Sequence, residues 1–429
     1  MSIEKANEFL ASHQMRAEDF DLNELVEIFT DHMNKGLTKT PASLMMLPTY
    51  IEAENEFQME KPVIAIDAGG TNFRTAIVYF NKQRELIIDQ LKNYSMPGVE
   101  KEISKEEFFD EMASYLDGYA EQSGQIGFCF SYATEIFPNK DGKLIQFSKE
   151  VKAKEVVGEM IGENLLKALG TPEKQIVILN DTVATLLAGK SAATQKTYDS
   201  FIGYILGTGT NTCYIEKNSN ILKADGLDQS KSQIINIESG NFNNAPRTDI
   251  DITFDNGTGN PGNYSFEKMF SGGYFGGLCL KTLQTAAKEG LFTEATSVIL
   301  RGVDALTSEQ ANSFTLGIAD ANNPLKAAAA TGEDADTIMA IIDGLIERAA
   351  KLVAGNIAAV ILKTEKGQQA DKPVLLTIEG TTFYKLKGLR IQFENYLQDY
   401  LSGDKQRYYE IVEVDQSSLV GAALAALVN

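Results

Sequence analysis

Residues 63–80 read VIAIDAGGTNFRTAIVYF: an apolar run reaching Asp67, two glycines and a threonine, then a second apolar run. Short apolar runs on either side of a glycine pair form strands and a tight turn, so the pattern predicts a β-hairpin over residues 62–80 with Asp67 ending its first strand. Gly69 and Gly70 let backbone N–H groups face an anion, and the hydroxyl of Thr71, next to Asn72, adds a donor, which suits a phosphate. Asp67 would repel a phosphate in direct contact but is well suited to hold a hydrated magnesium ion that bridges phosphates. Arg74 either approaches those phosphates or braces the turn from behind, and the sequence leaves both open. Taken alone, the stretch also fits an ordinary glycine hairpin.

Working outward, residues 87–96 continue the hairpin as a third strand. Residues 104–122 place Phe108, Met112, Tyr115, Leu116 and Tyr119 on one helical face, and 125–132 read as a buried strand. A second unit is expected to open at IVILND (176–181), with a helix over 182–192 and strands over 200–209 and 210–216. Both units put a strand ending in aspartate before a turn, and this duplication resembles the actin-like ATPase (ribonuclease H-like) fold. That fold is α/β, with two domains and the nucleotide in the interdomain cleft. Residues 243–264 read as a polar loop long enough to form a cleft lip, followed by a helix holding Met269, Phe270 and Tyr274. Helix signals run from Ala327 to Leu362, residues 373–385 give a strand and turn, and 417–428 a closing helix. Before the hairpin, Phe9, Leu10, Leu25, Val26 and Phe29 recur at helical spacing up to Lys35-Gly36.

With 429 residues the chain exceeds what one core supports, so two domains are expected. These are a small one over 61–180 and 418–429 and a large one over 1–60 and 181–417. Basic residues number 39 against 59 acidic ones, a net charge of −20 that disfavours nucleic acid as a partner but not a nucleotide. Cys129, Cys213 and Cys279 lie far apart, suggesting neither disulfides nor a zinc site. His13 and His32 are the only histidines. A general base must therefore be sought among the carboxylates and other groups. The start lacks a basic segment followed by an apolar core, and no apolar run has the length of a membrane span. The expectation is a cytoplasmic protein without a membrane partner, monomeric or homodimeric.

Five segments, MLPTYI, IDAGGTNFR, VILNDTVATLLAG, LGTGTNTCYIE with NIESGNF, and IEGTTFYK, stand in the order and spacing of the hexokinases, and by them the chain resembles that family along nearly its whole length. The resemblance implies an ATP-dependent kinase for the 6-hydroxyl of a hexose such as glucose, feeding glycolysis, with magnesium held by Asp67 through water. It implies ATP contacts at Asp67, Gly69, Gly70, Thr71, Asn72 and Arg74, at Gly207, Thr208, Gly209 and Thr210, and at Gly380 and Thr381. It implies sugar contacts at Ser131, Ser148, Lys149, Asn180, Asp181, Asn211, Glu238 and Glu267. Asp181 is the implied catalytic base, and the resemblance gives Lys149 the role of stabilising charge on the transferring phosphoryl. On local sequence alone Asp181 reads more readily as an N-cap for the following helix, and the resemblance reverses that preference. A non-catalytic sugar sensor on the same fold is the alternative, and it would require a degraded Asp181 or phosphate turn.

The chain also departs from the family pattern. Where the family reads S-F-P, residues 131–133 read SYA, so the proline after Ser131 is missing, and Ser148 replaces a commoner threonine. The segment DQSSLVGAAL lacks glycines common in the family's last turn.

Overall fold

A computed structural model of the protein describes residues 2–52, 56–147, 151–193 and 196–428. In chain order its strands are β1 (Leu47–Glu52), β2 (Val63–Gly69), β3 (Asn72–Phe80), β4 (Leu86–Ser95), β5 (Gln125–Phe130), β6 (Ala133–Ile136), β7 (Gly142–Gln146), β8 (Gln175–Leu179), β9 (Ser200–Leu206), β10 (Thr210–Lys217), β11 (Ser232–Asn236), β12 (Val374–Glu379) and β13 (Tyr409–Val412). One sheet has the order β4-β3-β2-β5-β8 and the other β1-β11-β10-β9-β12-β13, while β6 and β7 form a separate hairpin. In the first, β2, β3 and β4 form an antiparallel meander and β5 and β8 run parallel to β2. In the second, β9, β10 and β11 form the meander and β12 and β13 run parallel to β9. The two sheets therefore repeat one topology, with β1 added at the outer edge of the second.

This repeat corrects the expected start of the second unit. IVIL is β8, the last strand of the first sheet, and the second copy opens at β9. Its counterpart of the first glycine turn is therefore 207–209, between β9 and β10. A buried parallel strand and a meander-opening strand are both short apolar runs, and periodicity alone does not separate them.

Two helices join the sheets. Asp181–Ala192 and Ser417–Leu427 pack across one another, and a Cβ at Gly421 would fall 2.0 Å from the Ala184 carbonyl oxygen. Only glycine permits that approach of two backbones. The long helix Gly332–Thr364 runs through the larger core, with Ile338, Ile341, Leu345, Val353 and Ile357 almost fully buried. Arg348 on the same helix is buried too, and its guanidinium donates to both oxygens of Asp251 at 3.0 and 2.6 Å. A buried charge is tolerable because it is paired and hydrogen-bonded in this way.

Other expectations shift at their edges. The helix read over 104–122 is Lys105–Ser114, and the chain then turns, with Gly118 at φ +84°. Within the loop read over 243–264 lies a helix, Asp249–Asn256, started by Thr248 and Asp251 in a reciprocal capping box. The signal, a threonine three residues before an acid, was present in the sequence. Met269, Phe270 and Tyr274 precede the helix Phe275–Lys288 rather than lying in it. The long helix starts at Gly332, with Thr331 as its N-cap.

Candidate active site

Asp67 lies inside β2, opposite Arg74 of β3 and Cys129 of β5, and does not end the strand. Arg74 Nε donates to Asp67 Oδ2 at 2.8 Å and Nη2 contacts the same oxygen, so this arginine braces the strand pair behind the turn. Burial pushes the Asp67 carboxyl above its ordinary range against the pull of Arg74, and Glu379 adds to the push. The turn itself has Gly70 in the left-handed region at φ +62°, where a side chain is strained. Thr71 and Asn72 are exposed beyond it.

The second turn is built more elaborately. The N–H of Gly207 donates to the Gly209 carbonyl at 3.0 Å, closing the loop between β9 and β10. Gly272 and Gly273 donate to the carbonyls of Gly207 and Thr208, both at 2.8 Å, and Thr382 Oγ1 also donates to the Gly207 carbonyl. These donors leave Thr208 exposed at the tip. Gly380 follows β12 at φ +120°, and a Cβ there would lie 2.3 Å from the Leu206 carbonyl oxygen. Thr381 is exposed at the start of the short helix Thr381–Lys385, where a turn was expected. Sequence reading missed the supporting Gly272, Gly273 and Thr382.

Between the turns lies a polar cluster. β8 ends at Leu179, Asn180 is the N-cap of the next helix and Asp181 its first residue, so the capping role belongs to Asn180. Thr182 N–H donates to Asn180 Oδ1 at 2.9 Å and to Asp181 Oδ1 at 2.8 Å, which fixes both side chains at the C-terminal edge of the sheet. From β10, Asn211 Nδ2 donates to Asn236 Oδ1 at 2.8 Å, Glu238 Oε1 at 3.3 Å and Asn180 Oδ1 at 3.4 Å. Asn236 in turn donates to Glu238 at 2.8 Å. Glu238 occupies the left-handed region at φ +57°, a strain of order 1–3 kcal/mol of the kind that gathers at functional sites. Burial and the charge of Asp181 push its carboxyl above the usual range, against hydrogen bonds from Asn236 and Asn211.

Glu267 completes the cluster from another element: its Oε2 accepts the N–H of Thr210 at 2.8 Å. Glu267 and the second glycine turn thus meet at one peptide. Ser131 N–H donates to the Ala68 carbonyl at 2.9 Å, so the Ser131 loop leans on the first turn. Burial and the charges of Asp67, Asp181 and Glu379 push the Cys129 thiol up, so these three carboxylates gather around one buried position. Ser148 and Lys149 lie outside the described residues.

Asn236, Tyr264 and Glu379 join this site without having been read from the sequence. Burial and the nearby charges of Glu238 and Glu267 push the Tyr264 hydroxyl up. Glu379 Oε2 accepts from Thr185 Oγ1 at 3.1 Å and from Ser417 Oγ, tying β12 to both joining helices. Nothing in their spacing marks them. No group of three or more histidine, cysteine or acidic side chains among the described residues is arranged to hold a metal ion.

Two family models described as hexokinase match the chain, over residues 6–191 and 201–428. The chain belongs to the hexokinase family. Glucokinase-1 of Kluyveromyces lactis is 30% identical over 95% of the chain and 94% of its own length. Hexokinase-3 of rice (Oryza sativa subsp. japonica) is 27% identical over 95% and 87%. A solved hexokinase of Schistosoma mansoni, complexed with glucose, superposes with a TM-score of 0.79 at 22% identity, covering 100% of this chain and 99% of that one. This last likeness establishes the fold, the two-domain actin-like architecture. As a hexokinase the protein is a phosphotransferase that moves a phosphoryl group from ATP to a hexose.

Proposed function

We propose that the hexokinase phosphorylates the 6-hydroxyl of glucose or a close relative, with Asp181 as general base. The observation that carries this reading is the joining of acceptor and donor sites: Glu267 accepts from Thr210 at the second phosphate turn, while Asn180, Asn211 and Glu238 form one hydrogen-bonded set beside Asp181. A hexose presents a ring of hydroxyls, and amides and carboxylates match them, each hydroxyl left unpaired in a closed cleft costing about 1–3 kcal/mol.

In this reading the glycine turns at 69–71 and 207–210 hold the triphosphate from two sides, and Gly380 and Thr381 lie toward the nucleoside. The hexose hydroxyl attacks the γ-phosphorus as its proton passes to Asp181, the new O–P bond forms, and the bond to the β-phosphate oxygen breaks with its electron pair leaving on ADP. Magnesium arrives with ATP as part of the substrate. Asp67, buried and already paired with Arg74, fits a contact through water rather than direct ligation. By family resemblance we also assign Ser131, Ser148 and Lys149 to the sugar, and to Lys149 the stabilisation of charge on the transferring phosphoryl.

We assign residues 61–180 with 418–429 to a small domain and 1–60 with 181–417 to a large one, a division that follows the two sheets. Closure of one on the other would exclude water that otherwise hydrolyses ATP. A place in the cytoplasm at the entry to glycolysis agrees with three cysteines that are all buried and unbridged.

The test is incubation with Mg-ATP and glucose, mannose, fructose, N-acetylglucosamine or no sugar, following ADP and phosphorylated product. Hexose-dependent ADP release with a 6-phosphate product is expected, fastest with glucose. ADP release independent of sugar would overturn the reading.

A further inference from the structure

Tyr132 stands at the junction of the two halves of the site. It is 3% exposed, and its hydroxyl donates to the Gly70 carbonyl at 3.0 Å, at the left-handed apex of the first phosphate turn. Its ring packs edge-on against Phe147, centroids 5.1 Å apart, the residue just before Ser148 and Lys149. Its own backbone follows Ser131, whose N–H is bonded to the Ala68 carbonyl and whose side chain lies 3.0 Å from where a Gly69 Cβ would sit. One buried side chain thus touches the phosphate turn, the Ser131 loop and the approach to Ser148. A phenylalanine, as in the S-F-P pattern, would fill the same volume with nothing to offer Gly70. The proline of that pattern, which would stiffen the loop, is absent as well.

We propose that Tyr132 is a positioning residue that locks the sugar loop onto the nucleotide turn, so that ordering of either by its ligand favours ordering of the other. Binding that rigidifies a shared element makes the second ligand pay less for the same ordering, and the two affinities rise together by one reciprocal factor. The hydroxyl supplies by a hydrogen bond between the loops the restraint that proline would supply within one. This rests on the proposed assignment of Ser131 to the sugar and of the 69–71 turn to the phosphates.

The test uses the full chain and its Tyr132→Phe variant, which keeps the ring and removes only the hydroxyl. Glucose affinity is measured by calorimetry with and without a non-hydrolysable Mg-ATP analogue, and the ratio of the two dissociation constants is the coupling factor. In the wild type glucose should bind more tightly with the analogue present. An ordinary buried hydrogen bond corresponds to about a fivefold change in an equilibrium constant, so the factor should fall about fivefold in the variant, or to one if it starts lower. A merely structural bond would lower the melting temperature and leave the ratio unchanged, which would overturn the proposal, as would a ratio of one in the wild type. Wild-type protein that binds no glucose at all would instead overturn the functional reading beneath it.

Discussion

Gly209 offers a substitution whose effect on the sugar side can be worked out in advance. Its φ is outside the left-handed region, so alanine costs the backbone nothing there, yet its Cβ would lie 2.6 Å from Glu267 Oε2 and 3.3 Å from its Cδ. The clashing atom is the end of a flexible side chain, so the carboxylate swings away and the fold survives. What is lost is the bond from Thr210 N–H, 2.8 Å long, that holds Glu267 toward the cleft. A hydrogen bond to a charged group contributes about 1.5–3 kcal/mol, so Gly209→Ala should lower kcat/KM for glucose about ten- to a hundredfold. The assay is steady-state kinetics with glucose varied at saturating Mg-ATP and the reverse, beside a thermal melt that should move little. Unchanged glucose KM with a raised Mg-ATP KM would refute the reasoning, because Gly209 would then serve the phosphates alone.

Asp251→Asn removes the counter-charge from Arg348, the side chains being 3% and 2% exposed, and should cost about 3–5 kcal/mol in urea unfolding. A loss below about 1 kcal/mol would contradict the burial argument. Glu238 is raised by burial and by Asp181, so its protonation should weaken glucose binding on acidification from above the ordinary glutamate value of about 4.3. The sign for stability is opposite: the folded state binds this proton more tightly, so the group's contribution is complete below about pH 4.3 and is lost as pH rises through its folded value. Glucose titrations across pH in the wild type and Glu238→Gln check this, and identical profiles would count against it.

The reach of the sequence is clearest at the glycine turns. Gly70 and Gly380 adopt backbone angles that side chains rarely take, and such positions are legible because glycine there is a steric requirement. Asn180, Asp181, Asn211, Glu238 and Glu267 were legible by family resemblance, and their hydrogen-bonded grouping was not visible locally. What stayed hidden was of two kinds. Glu379 and Tyr132 meet partners remote in sequence, and Asn236 joins Glu238 to Asn211 on another strand, which no local spacing announces. The start of the second repeat was misplaced because β8 and β9 are both buried apolar runs, and only hydrogen-bond pairing assigns each to its sheet. The helix Asp249–Asn256 was overlooked because its polar composition and nearby glycines outweighed the Thr248 capping box.

The most direct test of the catalytic account is Asp181→Ala, measured for glucose-dependent ADP release and, separately, for glucose binding. Loss of the general base should lower kcat at least about a hundredfold while the glucose dissociation constant changes only a few-fold, because most of the sugar's partners remain. An unchanged kcat would contradict the assignment of Asp181 as the base.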